Sequence, residues 1–305
     1  MIAPTKVVVS RISDYFAGLG DKVVEAQLQP LAKESNKRKT FKINLRFSNR
    51  GTRTLIVKIY DDATVRPYFQ NLLHLQNNLS QRSPSSNWQV PAPLFFDNEL
   101  GIVVFEFVVG LTWQELDNKL QQANVIREAG IALRELHGLD FGGPTKSLTE
   151  WVASNIKPNL EELIDFFPSH RKLIQNTIVE LESDSWCSEN ADLVAPIHGD
   201  FQLRQFAMSP SKLTVLDWDD FSFGDPGFDV SYFKFYLESH FPTEIATKWF
   251  SHFEQAYGDD SWKTRWEIYF RFNCVRRACR RIRLKDLHWQ REAQKMIDWL
   301  GKGCK

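Results

Sequence analysis

Ile197-His198-Gly199-Asp200-Phe201-Gln202-Leu203-Arg204-Gln205, continued by Leu213-Thr214-Val215-Leu216-Asp217-Trp218-Asp219-Asp220, is the stretch that decides the fold. The first piece has little helical or strand periodicity and sets a glycine between two polar residues, so it reads as a loop. The second opens on the short apolar run Leu213 to Leu216 and then turns acidic, which reads as a buried strand delivering a carboxylate at its end. A loop Asp200 and a strand-end Asp217, seventeen positions apart, fit a site where one carboxylate accepts a hydroxyl proton and the other holds a nucleotide's metal. The plain alternative is a pair of loop-capping carboxylates.

Just beyond lies Gly224-Asp225-Pro226-Gly227-Phe228-Asp229. His198-Gly199-Asp200 alone is a weak signal. The three pieces in this order and spacing resemble the aminoglycoside phosphotransferase and choline kinase family, relatives of the protein kinases. The resemblance covers the chain from about residue 21. It implies an α+β, two-lobed, protein-kinase-like fold, with a small five-stranded antiparallel N-lobe and a mainly α-helical C-lobe. Residues 1–107 form the nucleotide-binding lobe and 108–305 the catalytic and substrate lobe, with a hinge near Glu106 to Leu111. The resemblance makes Asp200 the catalytic base and Asp217 the main Mg2+ ligand. It makes Asp219 a second acid near the metal, and His198 and Asp229 the hydrogen-bonding braces of the loop. The family places Asn five residues after the loop Asp. This chain has Gln205 there, the same carbonyl donor one methylene further out, at the second-metal position.

A chain of 305 residues with 43% hydrophobic residues can bury a large core. Lys plus Arg equals Asp plus Glu at 38 each, so no global charge points to nucleic acid or an anionic membrane. The 23 Phe and 10 Trp suit a large core or an aromatic-lined pocket. Cys187, Cys274, Cys279 and Cys304 make no Cys-x-x-Cys pair and no zinc spacing with His, so they read as free thiols. Met1 to Ser10 lacks the apolar core of a signal peptide, and no run approaches a membrane span. The expected setting is soluble, reducing and cytoplasmic. The sequence leaves the oligomeric state open.

From the N-terminus, Lys6 to Leu19 reads as an amphipathic helix ended by Gly18 and Gly20. Val23 to Leu31, Thr40 to Phe47 and Arg53 to Tyr60 read as a meander of strands separated by polar turns. The turn from Ala32 to Lys39 lies where kinases loop over the phosphates. It has no glycine, so Ser35, Asn36 and the cations are either phosphate contacts or a solvated basic tip. Lys58 sits inside the apolar strand Leu55 to Tyr60, and a buried ammonium needs a partner. The resemblance makes Lys58 the residue that contacts the α- and β-phosphates; the alternative is a strand-edge lysine with its head in water. Val65 to Leu79 reads as a helix that carries no acid, so the glutamate kinases use to pair the lysine is missing, and Gln70, His74 and Gln76 are the polar candidates. Gly101 to Val109 reads as a strand running into the hinge. There the backbone of Glu106, Phe107 and Val108 takes the adenine, by the resemblance.

Thr112-Trp113-Gln114-Glu115 and Ser147-Leu148-Thr149-Glu150 read as capping boxes that each open a helix. Val125 to His137 is strongly periodic, and His137 at its end reads as structural. Further helical stretches are Leu160 to Phe167, His170 to Leu181, Ser231 to His240, Glu244 to Tyr257 and Trp262 to Leu284. The last carries Arg271, Arg276, Arg277, Arg280, Arg281 and Arg283. That face is a solvated surface with ion pairs, or it binds an anionic acceptor or nucleic acid. The leading expectation is ATP- and Mg2+-dependent phosphorylation of a hydroxyl on a small molecule: sugar-like, amino-alcohol or antibiotic. The alternative is a non-catalytic nucleotide-binding or scaffold protein, which Gln205 and the missing helix glutamate favour.

Overall fold

The computed structural model describes residues 5–31, 38–60, 65–82, 86–116 and 119–303. In chain order the elements are α1 (Thr5–Gly18), β1 (Val23–Pro30), β2 (Arg38–Phe47), β3 (Gly51–Tyr60), α2 (Val65–Arg82), β4 (Trp88–Gln89), β5 (Pro93–Asp97), β6 (Ile102–Glu106) and β7 (Leu111–Thr112). Then follow α3 (Lys119–His137), α4 (Leu148–Asn155), α5 (Leu160–Phe166), α6 (Arg171–Glu182), α7 (Trp186–Glu189) and β8 (Ala195–Ile197). The chain ends with β9 (Phe206–Met208), β10 (Leu213–Val215), β11 (Ser222–Gly224), α8 (Gly227–His240), α9 (Thr243–Tyr257), α10 (Trp266–Leu284) and α11 (Trp289–Lys302). Two compact units result: Met1–Glu115 with Phe206–Asp219, and Leu116–Gln205 with Asp220–Lys305. Residues 206–219, which a division at 107/108 assigns to the second lobe, pack with the first unit.

The first unit holds the expected five-stranded antiparallel sheet, in the order β1-β2-β3-β6-β5. Val8, Ile12 and Phe16 recur every four residues along α1 and cover Ile43, Leu45, Leu55, Val57, Ile59, Ile102 and Val104. Side chains alternate along a strand, so the register that turns Leu55, Val57 and Ile59 toward α1 turns Lys58 and Tyr60 to the opposite face. A second sheet, β4-β10-β9-β7, contains the short apolar strand expected before Asp217. Trp218 follows it, stacks on Trp88 at 6.4 Å and donates its indole N–H to the Val215 carbonyl at 2.7 Å.

One capping box opens less than expected. Thr112 N–H and Oγ1–H both donate to Glu115 Oε2, at 2.7 and 2.8 Å, but they close only the 3-10 turn Trp113–Glu115. Thr112 is committed to β7, where it pairs with Ala207 of β9, so no α-helix starts from it. The Ser147 box does open α4, with both reciprocal bonds formed.

The second unit is built around α8 and α10. Eleven residues of α8 are buried, on every side of the helix, as suits a central element. Trp151, Phe228, Tyr269, Phe272, Met296 and Ile297 are among its core. Gly130 lets α3 meet α9, because a Cβ there would stand 2.5 Å from the Phe253 carbonyl oxygen. β8, from which the site loop leaves, pairs antiparallel with β11. No helix of the described residues is long and apolar enough to cross a membrane.

Candidate active site

In the first unit, β3 delivers Lys58 to the end of β10. Its Nζ lies 2.6 Å from Asp217 Oδ1 and 2.6 Å from Asp219 Oδ1. Lys58 is only 8% exposed, so the two carboxylates supply the partners a buried ammonium requires. Arg38, at the start of β2, adds a fork onto Asp217, with Nη1 at 2.8 Å from Oδ1 and Nη2 at 3.3 Å from Oδ2. Its Nη1 also pairs with Asp219. Tyr60 Oη donates to Asp219 Oδ1 at 3.0 Å. Burial alone would raise the Asp217 pKa, but the charges of Lys58 and Arg38 outweigh it and hold the carboxyl far below the usual range. Asp217 takes φ 59°, a left-handed conformation that Asp is one of the few side chains to tolerate, and so turns the chain from β10 into the 3-10 turn Trp218–Asp220.

Two cations and two carboxylates balance here, and sequence reasoning had only part of the set. In the sequence Arg38 is one of several cations of the turn from Ala32 to Lys39. The helix that lacks an acid, α2, contributes Tyr68. The Tyr68 phenol is hydrogen-bonded to Tyr60, with ring centroids 5.8 Å apart, and burial, then Tyr60, push its pKa well above the ordinary value. The signal was present in the apolar face Val65, Tyr68, Phe69 and Leu72. Lys58 thus finds its second carboxylate on Asp219.

At the end of β6, Glu106 N–H donates to the Ala92 carbonyl at 3.0 Å and Phe107 N–H to the Thr54 carbonyl at 3.4 Å. The Glu106 side chain pairs with Arg53. Glu106, Phe107 and Val108 border a cavity of about 490 Å³ together with Trp88 to Ala92 and α2; Lys58, Asp217 and Asp219 do not line it. Ser35 lies outside the described residues.

In the second unit, Asp229 of α8 grips the loop. Its Oδ2 accepts the His198 N–H at 2.6 Å and its Oδ1 the Gly199 N–H at 2.8 Å. His198 Nδ1 accepts the Asp200 N–H at 3.2 Å. His137 closes the brace, with Nε2 3.4 Å from Asp229 Oδ2 and Nδ1 2.9 Å from Tyr257 Oη. Gly199 has φ 81°, and a Cβ would come within 2.5 Å of the Asp220 carbonyl, so glycine is required. The loop presents Asp200 with one oxygen held and one buried without a hydrogen bond. Oδ2 accepts Nε2–H from Gln202 at 2.7 Å and from Gln205 at 3.0 Å. Oδ1 is buried and has no hydrogen-bond partner among the described residues, with the Arg276 guanidinium 4.0 Å away. Arg276, expected on a helix face, is turned inward over the Tyr232 ring at 5.1 Å. Asp225 is bound to Tyr269 Oη at 2.7 Å and Arg265 Nε at 2.9 Å, a structural knot beneath the loop.

The first unit thus presents a strand lysine on an Asp pair, and the second an Asp loop clamped by a helix Asp. Residues 43–267, well over half of the chain, match the model of the phosphotransferase enzyme family, and the chain belongs to that family. Its fold is protein-kinase-like. Amicoumacin kinase hAmiN, solved with AMP-PNP, Ca2+ and Ami, is 14% identical; the match covers 98% of this chain and 96% of that one, with TM-score 0.64. Choline kinase from Cryptosporidium parvum Iowa II is 11% identical over 98% and 95% of the two chains, with TM-score 0.63. The APH(2")-IIa ternary complex with streptomycin and ATP is 14% identical over 98% of each, with TM-score 0.58. At these identities the likeness shows the fold. Acyl-CoA dehydrogenase family member 10 of Mus musculus is 34% identical over 90 residues, and the match spans 28% of this chain and 7% of that protein.

Proposed function

We propose that the chain transfers the γ-phosphoryl group of ATP, taken as its Mg2+ complex, to a hydroxyl of a small molecule. The observation that carries this is the Lys58 ammonium set 2.6 Å from both Asp217 and Asp219. Lys58 and Arg38 offer positive charge to phosphate oxygens, and the backbone at Glu106, Phe107 and Val108 is the proposed adenine contact. The donor set suits Mg2+, which favours oxygen ligands and one or two carboxylates completed by phosphates and water. Asp217 and Asp219 would hold the metal, whose part is to neutralise phosphate charge. Gln205 is proposed to lend an oxygen as the resemblance implies, besides steadying Asp200.

Asp200 is the proposed base. Its carboxylate takes the acceptor's hydroxyl proton as the acceptor oxygen bonds to phosphorus and ADP departs with the bonding pair. Calorimetry with Mg-ATP on wild type and Asp217→Ala tests the metal assignment. Wild type should bind and the variant should lose most of its Mg-dependent affinity; equal affinity in both removes Asp217 from that role.

A further inference from the structure

The second unit carries a cavity of about 180 Å³ ringed by Arg204, Arg276, Arg277, Arg280 and Arg281. The acid in its lining, Asp286, is already held by Arg281 at 2.6 Å. His240 adds no positive charge at neutral pH: burial, then Arg277, lower its pKa to about 4, and its Nε2 accepts from Arg277 Nη2 at 2.9 Å. Burial, then Arg281, lower the Arg277 pKa too, and the Glu292 charge offsets them only in part. Three polar atoms of the lining are buried without a hydrogen-bond partner: Arg276 Nη1, Arg277 Nε and Asn273 Oδ1. Buried N–H groups of this kind are rare in native interiors, and two on neighbouring arginines point to a missing acceptor.

The cavity adjoins the proposed base. Gln202, in its lining, donates to Asp200 Oδ2 at 2.7 Å, and Arg276 stands 4.0 Å from Oδ1. Tyr232, also in the lining, has its phenol pKa pushed up by burial, then by the Asp200 charge. We propose, on the phosphoryl-transfer reading above, that this cavity anchors the acceptor and that the acceptor is an alcohol already bearing a phosphate group. The planar forks of several arginines match phosphate oxygens, and a dianion answers an excess of cations that a neutral or cationic acceptor leaves unbalanced. A volume of about 180 Å³ admits one compact group, where a drug-sized ligand fills roughly 300 Å³ or more.

Titration calorimetry with inorganic phosphate at low ionic strength tests the subsite without turnover. Wild type should bind; Arg277→Gln and Arg280→Gln should each bind at least tenfold more weakly while keeping wild-type affinity for Mg-ATP. Arg280 is exposed, so its variant stands in if Arg277→Gln melts early. ADP release is then compared for glycerol 3-phosphate and glucose 6-phosphate against glycerol, glucose and choline, with turnover expected from a phosphorylated alcohol and loss of it in Arg280→Gln. Phosphate binding unchanged by both substitutions, or turnover confined to uncharged or cationic alcohols, overturns the inference. Absence of Mg-ATP binding in wild type instead overturns the phosphoryl-transfer reading, and the phosphate titration then still decides whether the cavity is an anion subsite.

Discussion

Asp200 has one oxygen satisfied and one without a partner, and that asymmetry separates binding from chemistry. In Asp200→Asn the replacement amide keeps the size and can still meet Gln202 and Gln205, but it cannot take a proton. Nucleotide affinity should stay, and turnover should fall roughly a hundredfold or more, the scale of lost general-base catalysis; full turnover would exclude the role. Gln205 reaches Asp200 Oδ2 at 3.0 Å with its whole length. Asn at that position falls short by one methylene and should drop the bond, lowering kcat. A rise in turnover on Gln205→Asn would mean instead that the family's shorter donor serves this site better.

Two helices meet closely at Gly130, and the effects of a methyl group there compete. Ala in place of Gly gains about 1 kcal/mol of helix propensity in α3. Its Cβ, however, would lie 2.5 Å from a backbone oxygen of α9 and 3.0 Å from the Ala256 Cβ. Overpacking of that kind costs about 1–3 kcal/mol, so the clash wins. Gly130→Ala should melt below wild type by calorimetry, with the far-ultraviolet spectrum unchanged. A higher melting point would show that α9 gives way without loss.

Acid stability tests the molecule as a whole. His240 titrates near 4 in the folded chain because burial and Arg277 oppose its charge, while an unfolded histidine titrates near about 6.5. The unfolded state therefore binds more protons in that window, and stability, complete above about pH 6.5, drains away as the pH falls toward 4. Asp217 has the same sign at lower pH: its depressed pKa stabilises the fold above the ordinary carboxylate range, and that share is lost on further acidification. Denaturant titrations from pH 7 to 4.5 should show a smaller decline for His240→Asn than for wild type. Parallel curves would remove His240 from the account.

The sequence by itself determined the parts whose causes are local. Period-two alternation gave β2 and β3, spacing of three and four gave α1 and the later helices, and Ser147 with Glu150 fixed the start of α4. The order of the loop, strand and Gly-Asp-Pro pieces was enough to indicate a kinase-like chain. Tertiary structure decided the rest. Arg38 and Asp217 are 179 positions apart, and no spacing rule joins a turn cation to a strand-end acid. Which arginines of α10 face solvent and which face Asp200 depends on how that helix is rotated against α8, since six arginines in one helix look alike in the sequence. Thr112 looked like a helix cap until its pairing with β9 settled the matter. Periodicity and caps are properties of neighbours along the chain, whereas charge pairing, cavity lining and buried unpartnered atoms arise only when distant segments pack.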